Sequence, residues 1–146
     1  MQLKYITNSM KANKYFTVKE LVSEDVYDLL GDNAIKLLDT NALEVLEDVR
    51  EILGVPLICN NWEFGGKRNY CGYREIPCTV GAPRSAHRDG KAFDLISVKM
   101  DAEKMRNILK QNVHKLRHKI RIEDGVSWLH IDVRNPYSDK IYFFNA

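Results

Sequence analysis

The chain lacks what would make it a disulfide scaffold, a membrane protein or a strongly charged binder. It has only three cysteines, Cys59, Cys71 and Cys78. An odd count with no Cys-x-x-Cys pair argues against a disulfide framework and fits synthesis in a reducing compartment. Cys71 and Cys78 lie in a stretch rich in Gly and Asn, but no paired spacing supports a second metal site there. No apolar run approaches the ~18 residues of a membrane span, so no membrane partner is expected. The opening Met1-Gln2-Leu3-Lys4-Tyr5-Ile6 has no signal-peptide apolar core. The expectation is a protein made in the cytoplasm that acts elsewhere only after release or delivery. An excess of one charge is also missing, with 22 Lys and Arg against 20 Asp and Glu and a net charge of +2. The run Lys110, His114, Lys115, Arg117, His118, Lys119, Arg121 reads as a solvated helix face or as a contact for an anionic polymer. So small a net charge argues against nucleic acid as the partner.

What is present is ordinary globular composition: 146 residues, 45% hydrophobic and 29% charged. A chain of this length buries roughly 68–70% of its unfolded surface. It needs no structural metal, and any metal it binds is free for a chemical role. A single domain over 1–146 and a monomer are expected, with a helical lead-in at about 15–54 and a core at about 56–146. Thr17 and Glu20 have capping-box spacing, and Leu21, Val22, Val26, Leu29 and Leu30 follow up to Gly31, which reads as one short helix or two helical turns. From Thr40, Leu43, Val45, Leu46, Val49, Ile52 and Leu53 recur at helical spacing until Gly54 and Pro56 stop them. Pro56 to Cys59 reads as a short strand, 60–86 as a long glycine-containing loop, Ala92 to Val98 as a buried strand, and Asp101 as the cap of a helix through Met105, Ile108 and Leu109. Asp124-Gly125 between Lys119–Glu123 and Val126–Val133 signals a tight hairpin. Lys140 to Phe144 closes the chain as a strand. This order of elements predicts an α+β fold, helices packed on a small antiparallel sheet.

Two segments carry chemistry. Ser85-x-His87-x-x-Gly90-x-Ala92-x-Asp94 places a histidine and an aspartate seven apart, too far for one helix face but suited to a loop that turns at Gly90 and enters a strand. His130 lies between Leu129 and Ile131, where alternation sets Trp128, His130 and Asp132 on one face. Two imidazoles and a carboxylate suit one zinc ion, and three protein ligands leave a fourth position for chemistry. Ser85 reads as a supporting hydroxyl, since Arg84-Ser85-Ala86 is no nucleophile elbow. Trp62 and Trp128 read as a groove lining or, more simply, as packing.

These residues resemble the D-alanyl-D-alanine metallopeptidases, a family that includes vancomycin-resistance dipeptidases and several phage endolysins and shares its fold with the hedgehog signalling domain. The first motif fixes five positions in ten residues. The aromatic-x-His at 128–130, Gly72-Tyr73-Arg74 and, in the lead-in, Tyr15-Phe16 and Glu20-Leu21 extend the likeness. It implies a hedgehog/DD-peptidase-like fold, one Zn2+ held by His87, Asp94 and His130, and Arg74 near the scissile carbonyl or the substrate carboxylate, where a fixed cation would steady developing negative charge. It also implies hydrolysis of a peptide bond in peptidoglycan stem peptides, as carboxypeptidase or endopeptidase or as a phage lysin. The chain departs from the family at Ser127, where many members carry the carboxylate that deprotonates the attacking water, which a hydroxyl cannot do. Glu123, on the partner strand, and Asp132, on the face of His130, are the substitutes. Asp132 has a second possible role as an acceptor that orients a histidine. If neither acts as base, the chain is a catalytically inactive metal-containing wall-binding or virion module.

Overall fold

The computed structural model describes residues 10–75 and 85–145. Cys78 lies outside them, as do the opening residues and 76–84 of the loop expected at 60–86. The Thr17 amide and hydroxyl both donate to Glu20 Oε2, at 2.7 and 3.1 Å. They start a single 3-10 turn, Val18–Glu20. Ser23 then caps anew, its hydroxyl accepting from the Val26 amide at 3.1 Å, and α1 runs from Glu24 to Leu30. The lead-in is therefore two helical turns broken by a second cap. A further 3-10 stretch spans Gly31–Leu37. Asp39 caps α2, Thr40–Leu53, by accepting from the Ala42 amide at 2.9 Å, and Gly54 ends it in the left-handed region. Asp101 accepts from the Lys104 amide at 2.8 Å and starts α3, Ala102–Gln111.

Four short strands follow the chain order β1 Ala92–Leu95, β2 Ile120–Glu123, β3 Leu129–Asp132 and β4 Ile141–Phe144. In the sheet they are ordered β1-β3-β2-β4. β3 pairs antiparallel with both β1 and β2, while β4 runs parallel to β2. The α+β expectation holds, with a mixed sheet instead of a wholly antiparallel one. The physical reason lies in Asn135, whose side-chain amide donates to the Ile120, Asp139 and Lys140 carbonyls. That clasp carries the chain back beside β2 so that Ile141 starts level with Ile120. The tight Asp-Gly hairpin is also corrected. The register Ile122↔Ile131 leaves residues 124–128 as a longer loop. Buried Arg106 of α3 occupies its inner side, donating to the Glu123, Val126 and Trp128 carbonyls at 3.5, 3.1 and 3.2 Å. Pro56 to Cys59 is no strand of the sheet and makes one bridge, Ile58 with Ile96.

Strand alternation splits the sheet into two chemistries. Phe93, Leu95, Ile120, Ile122, Leu129 and Ile131 are at most 1% exposed and form one core with α2 and α3. Asp94, His130, Asp132, Arg121 and Glu123 have the opposite parity and share the other face. The basic run is tied to α2: Arg117 pairs with Asp48 and Glu47, and His118 with Glu44 at 2.7 Å. The charges of Arg117 and His118 are thus satisfied within the fold, and only Lys110 of the run lies on α3. No described helix is long and apolar enough to cross a membrane.

Gly90 shows how a backbone position serves the site. Its φ of 69° and its approach to the Leu37 carbonyl, where an added Cβ would collide, both demand glycine. Its carbonyl also accepts from the Asp39 amide at 3.0 Å, joining the motif loop to the start of α2. Gly90→Ala is expected to cost about 2 kcal/mol or more, lowering Tm by about 5 °C or more in a thermal melt. An unchanged Tm would contradict the fit.

Candidate metal centre

Three elements bring the motif residues together. Ser85 Oγ accepts from the His87 amide at 3.2 Å and opens a 3-10 turn, Ala86–Asp89, that carries His87. The chain turns at Gly90 and enters β1 with Asp94. Asp94 is the register partner of His130 on β3, so carboxylate and imidazole stand side by side on one sheet face. One donor atom from each of His87, Asp94 and His130 lies within 4.8 Å of the others. Asp94 Oδ1 is 2.9 Å from His130 Nδ1 and 3.3 Å from His87 Nε2. The imidazoles meet edge to face with centroids 5.2 Å apart.

The outer contacts decide which nitrogen faces inward. His87 Nδ1 is 2.9 Å from the Gly72 carbonyl, which accepts a hydrogen bond from Nδ1–H and leaves Nε2 to face the other donors. His130 Nε2 is 2.8 Å from Asp132 Oδ2, which turns Nδ1 inward, toward Asp94 Oδ1. These are the backbone-carbonyl and carboxylate supports typical of metal-binding histidines. Gly72 itself packs so closely on the Leu21 carbonyl that a side chain would not fit, which connects the lead-in to the site. The donor set fits zinc: two nitrogens and one oxygen, on rings whose tautomers are set by neighbours. Solvent reaches it unevenly, with side-chain exposures of 12% for Asp94 and 9% for His130 against 2% for His87.

Charge is closely balanced here. Burial opposes ionisation of Asp94, but hydrogen bonds to His130 and His87 outweigh it and hold the carboxyl well below the usual range. Burial also opposes the charged form of His130, yet Asp132 and Asp94 raise its pKa from 6.5 to about 9. Asp132 is held at about 2, since bonds to His130 and Arg121 outweigh its burial. With the folded pKa of His130 raised, its pairing stabilises the metal-free fold in full below about pH 6.5, and that contribution is lost as pH rises through about 9. A metal ion and this proton compete for Nδ1. Zinc uptake at neutral pH is therefore expected to release about one proton, with affinity rising about tenfold per pH unit and levelling off above about 9. Chelator-competition titrations between pH 6 and 10 measure this, and a pH-independent affinity would contradict it.

A family model described as Peptidase M15 matches residues 14–132. The chain belongs to the peptidase M15 family. M15 peptidases are zinc metallopeptidases, in keeping with the donor set. The match takes in both helical turns of the lead-in and ends on Asp132, so all three donors and Arg74 fall inside it. No curated protein and no solved structure matches the chain.

The remaining candidates are placed as follows. Arg74 comes to the site: its Nη2 is 3.3 Å from Asp94 Oδ2, its Nε donates to the Tyr70 carbonyl at 2.7 Å, and its amide donates to the His87 carbonyl at 3.0 Å. Asp132 is fully buried, and its carboxylate accepts from Arg121 twice, from the Arg134 amide and from His130. Glu123 is half-buried. The β2–β3 pairing ends one step before it, at Ile122↔Ile131, and its strand parity sets it on the sheet face of His130. Ser127 is exposed on the 124–128 loop and lines a small depression at the start of α3 with Leu95 and Met105. Trp62 donates to the Val22 carbonyl and packs against Tyr27, a structural role. Trp128 Nε1 is buried with no hydrogen-bond partner among the described residues. Cys59 and Cys71 are free, and burial raises both thiol pKa values. Among the described residues the zinc-type donors form one group, without a cysteine. Arg121 and Phe144 were not identified as site residues, although Arg121 shares the strand parity of Glu123 and that parity was the available signal.

Proposed function

We propose that the chain hydrolyses a peptide bond in the stem peptides of bacterial peptidoglycan, with one zinc ion held by His87, Asp94 and His130. The observation that carries this reading is the convergence of those three donors inside an M15 match, with the Arg74 guanidinium beside Asp94. Zinc bound there supplies a Lewis acid that polarises the substrate carbonyl and acidifies water. Glu123 takes and holds the proton of the attacking water, and Arg74 stabilises the charge that develops on the carbonyl oxygen. Asp132, saturated by four contacts, orients His130 instead of moving protons. In the test, zinc-loaded protein is incubated with purified peptidoglycan and the released fragments are read by mass spectrometry. New amine termini that vanish with chelator and return with zinc are expected. Intact stem peptides across the pH range would overturn the substrate, and chelator-insensitive cleavage would overturn the mechanism.

Ser127 favours a second reading, a metal-containing module that binds the wall without cutting it. Such a module keeps its wall affinity in both Glu123→Ala and Asp132→Ala, whereas the enzyme loses turnover in one of them.

A further inference from the structure

Asp132 is itself held in place. Arg121, its register partner on β2, donates through Nε to Oδ1 at 2.9 Å and through Nη2 to Oδ2 at 2.8 Å. A two-pronged guanidinium contact fixes the plane of a carboxylate and not merely its charge. The oxygen that receives the second prong also accepts from His130 Nε2 at 2.8 Å. The same guanidinium lies over the Phe144 ring, 4.4 Å from its centroid. That ring stands edge-on to the His130 imidazole, centroids 5.6 Å apart and planes at 85°. The contacts close a circuit from Arg121 through Asp132 to His130, and from His130 through Phe144 back to Arg121. Of the contacts on the imidazole, one polar and one aromatic therefore end on the same side chain, Arg121. Asp132 is fully enclosed and the Arg121 side chain only 21% exposed, so solvent does little to loosen the pair.

We propose that Arg121 is a positioning residue for the metal centre, aligning the His130 ring through Asp132 and Phe144 together. The proposal rests on the zinc reading above, and its test separates the two. Zinc affinity is measured by chelator competition, and the geometry at the metal is read from the visible spectrum of the cobalt(II)-loaded protein. Arg121→Gln is expected to weaken zinc binding about 10- to 100-fold and to change the cobalt bands, as loss of an outer support does. Arg121→Lys should recover part of the loss, since an ammonium restores charge without the fork. Phe144→Leu should cost about threefold, in line with one edge-on ring contact. Because Arg121 acts partly through Asp132, the losses of Arg121→Gln and Asp132→Asn should not add in the double variant. Arg121→Gln binding zinc within twofold of wild type with an unchanged cobalt spectrum, or additive losses, would overturn the proposal. If Arg121→Gln does not fold, wild-type affinity and spectrum in both Arg121→Lys and Phe144→Leu overturn it equally. Wild-type protein that takes up no zinc would overturn the metal reading and this one together, whereas tight wild-type binding unaffected by the variants removes this one alone.

Discussion

His87→Ala is expected to reduce zinc from one ion per chain to nearly none and to abolish hydrolysis. Losing an outer support of a metal ligand typically costs 10- to 100-fold in affinity, so losing the ligand itself should exceed about a hundredfold. Hydrolysis should fall about 10⁴-fold or more, because the acidified water goes with the metal. His87 is the sharpest position for this test. It is the most buried of the three donors, and its ring is set by a backbone carbonyl, that of Gly72. Asp94 and His130 also bond to each other, so replacing either would disturb the partner's ionisation as well as the metal. The substitution leaves the Gly72 carbonyl unpaired, at about 1–3 kcal/mol, so a melt in chelator must accompany the titration. A folded His87→Ala protein that still binds zinc at wild-type affinity would remove His87 from the ligand set.

The legible parts of this molecule are those encoded over short distances. Helix α2 announces itself through apolar spacing and Gly54, and α3 through Asp101, because caps and periodicity act within a few residues. The convergence of His87, Asp94 and His130 is legible because His87, Gly90 and Asp94 form one local motif and His130 has the matching strand parity. Ser23 was harder, since a cap inside an apolar run looks like any polar interruption. The parallel placement of β4 depends on Asn135 reaching Ile120, and the open 124–128 loop depends on Arg106 reaching three carbonyls from α3. Such contacts join residues 15 to 22 apart, and no local pattern encodes them. The choice between Glu123 and Asp132 was equally hidden. Asp132 bonds to His130 and Glu123 shares its sheet face, and it is the Arg121 fork that marks Asp132 as an occupied group.

That distinction yields the second large effect. Glu123→Gln is expected to lower kcat about 10²- to 10⁴-fold, the usual worth of a positioned general base, while zinc affinity stays within about twofold of wild type. The exchange keeps size and removes only the capacity to take a proton, and no described zinc donor bonds to Glu123. Asp132→Asn should behave in the opposite way. Its carboxylate supports His130 and receives both prongs of Arg121. An amide therefore weakens zinc binding about 10- to 100-fold and lowers stability by about 3 kcal/mol through the broken buried pair. With zinc held at saturation, kcat of Asp132→Asn should return to within about tenfold of wild type, because the proton-accepting group is still present. Glu123→Gln should gain nothing from added zinc. Kinetics at two zinc concentrations thus separate the roles without relying on either variant's absolute rate. Should saturating zinc restore Glu123→Gln and leave Asp132→Asn inactive, the base is Asp132 and its contacts with Arg121 must open during turnover. Should neither exchange change kcat, turnover does not depend on a carboxylate base at either position.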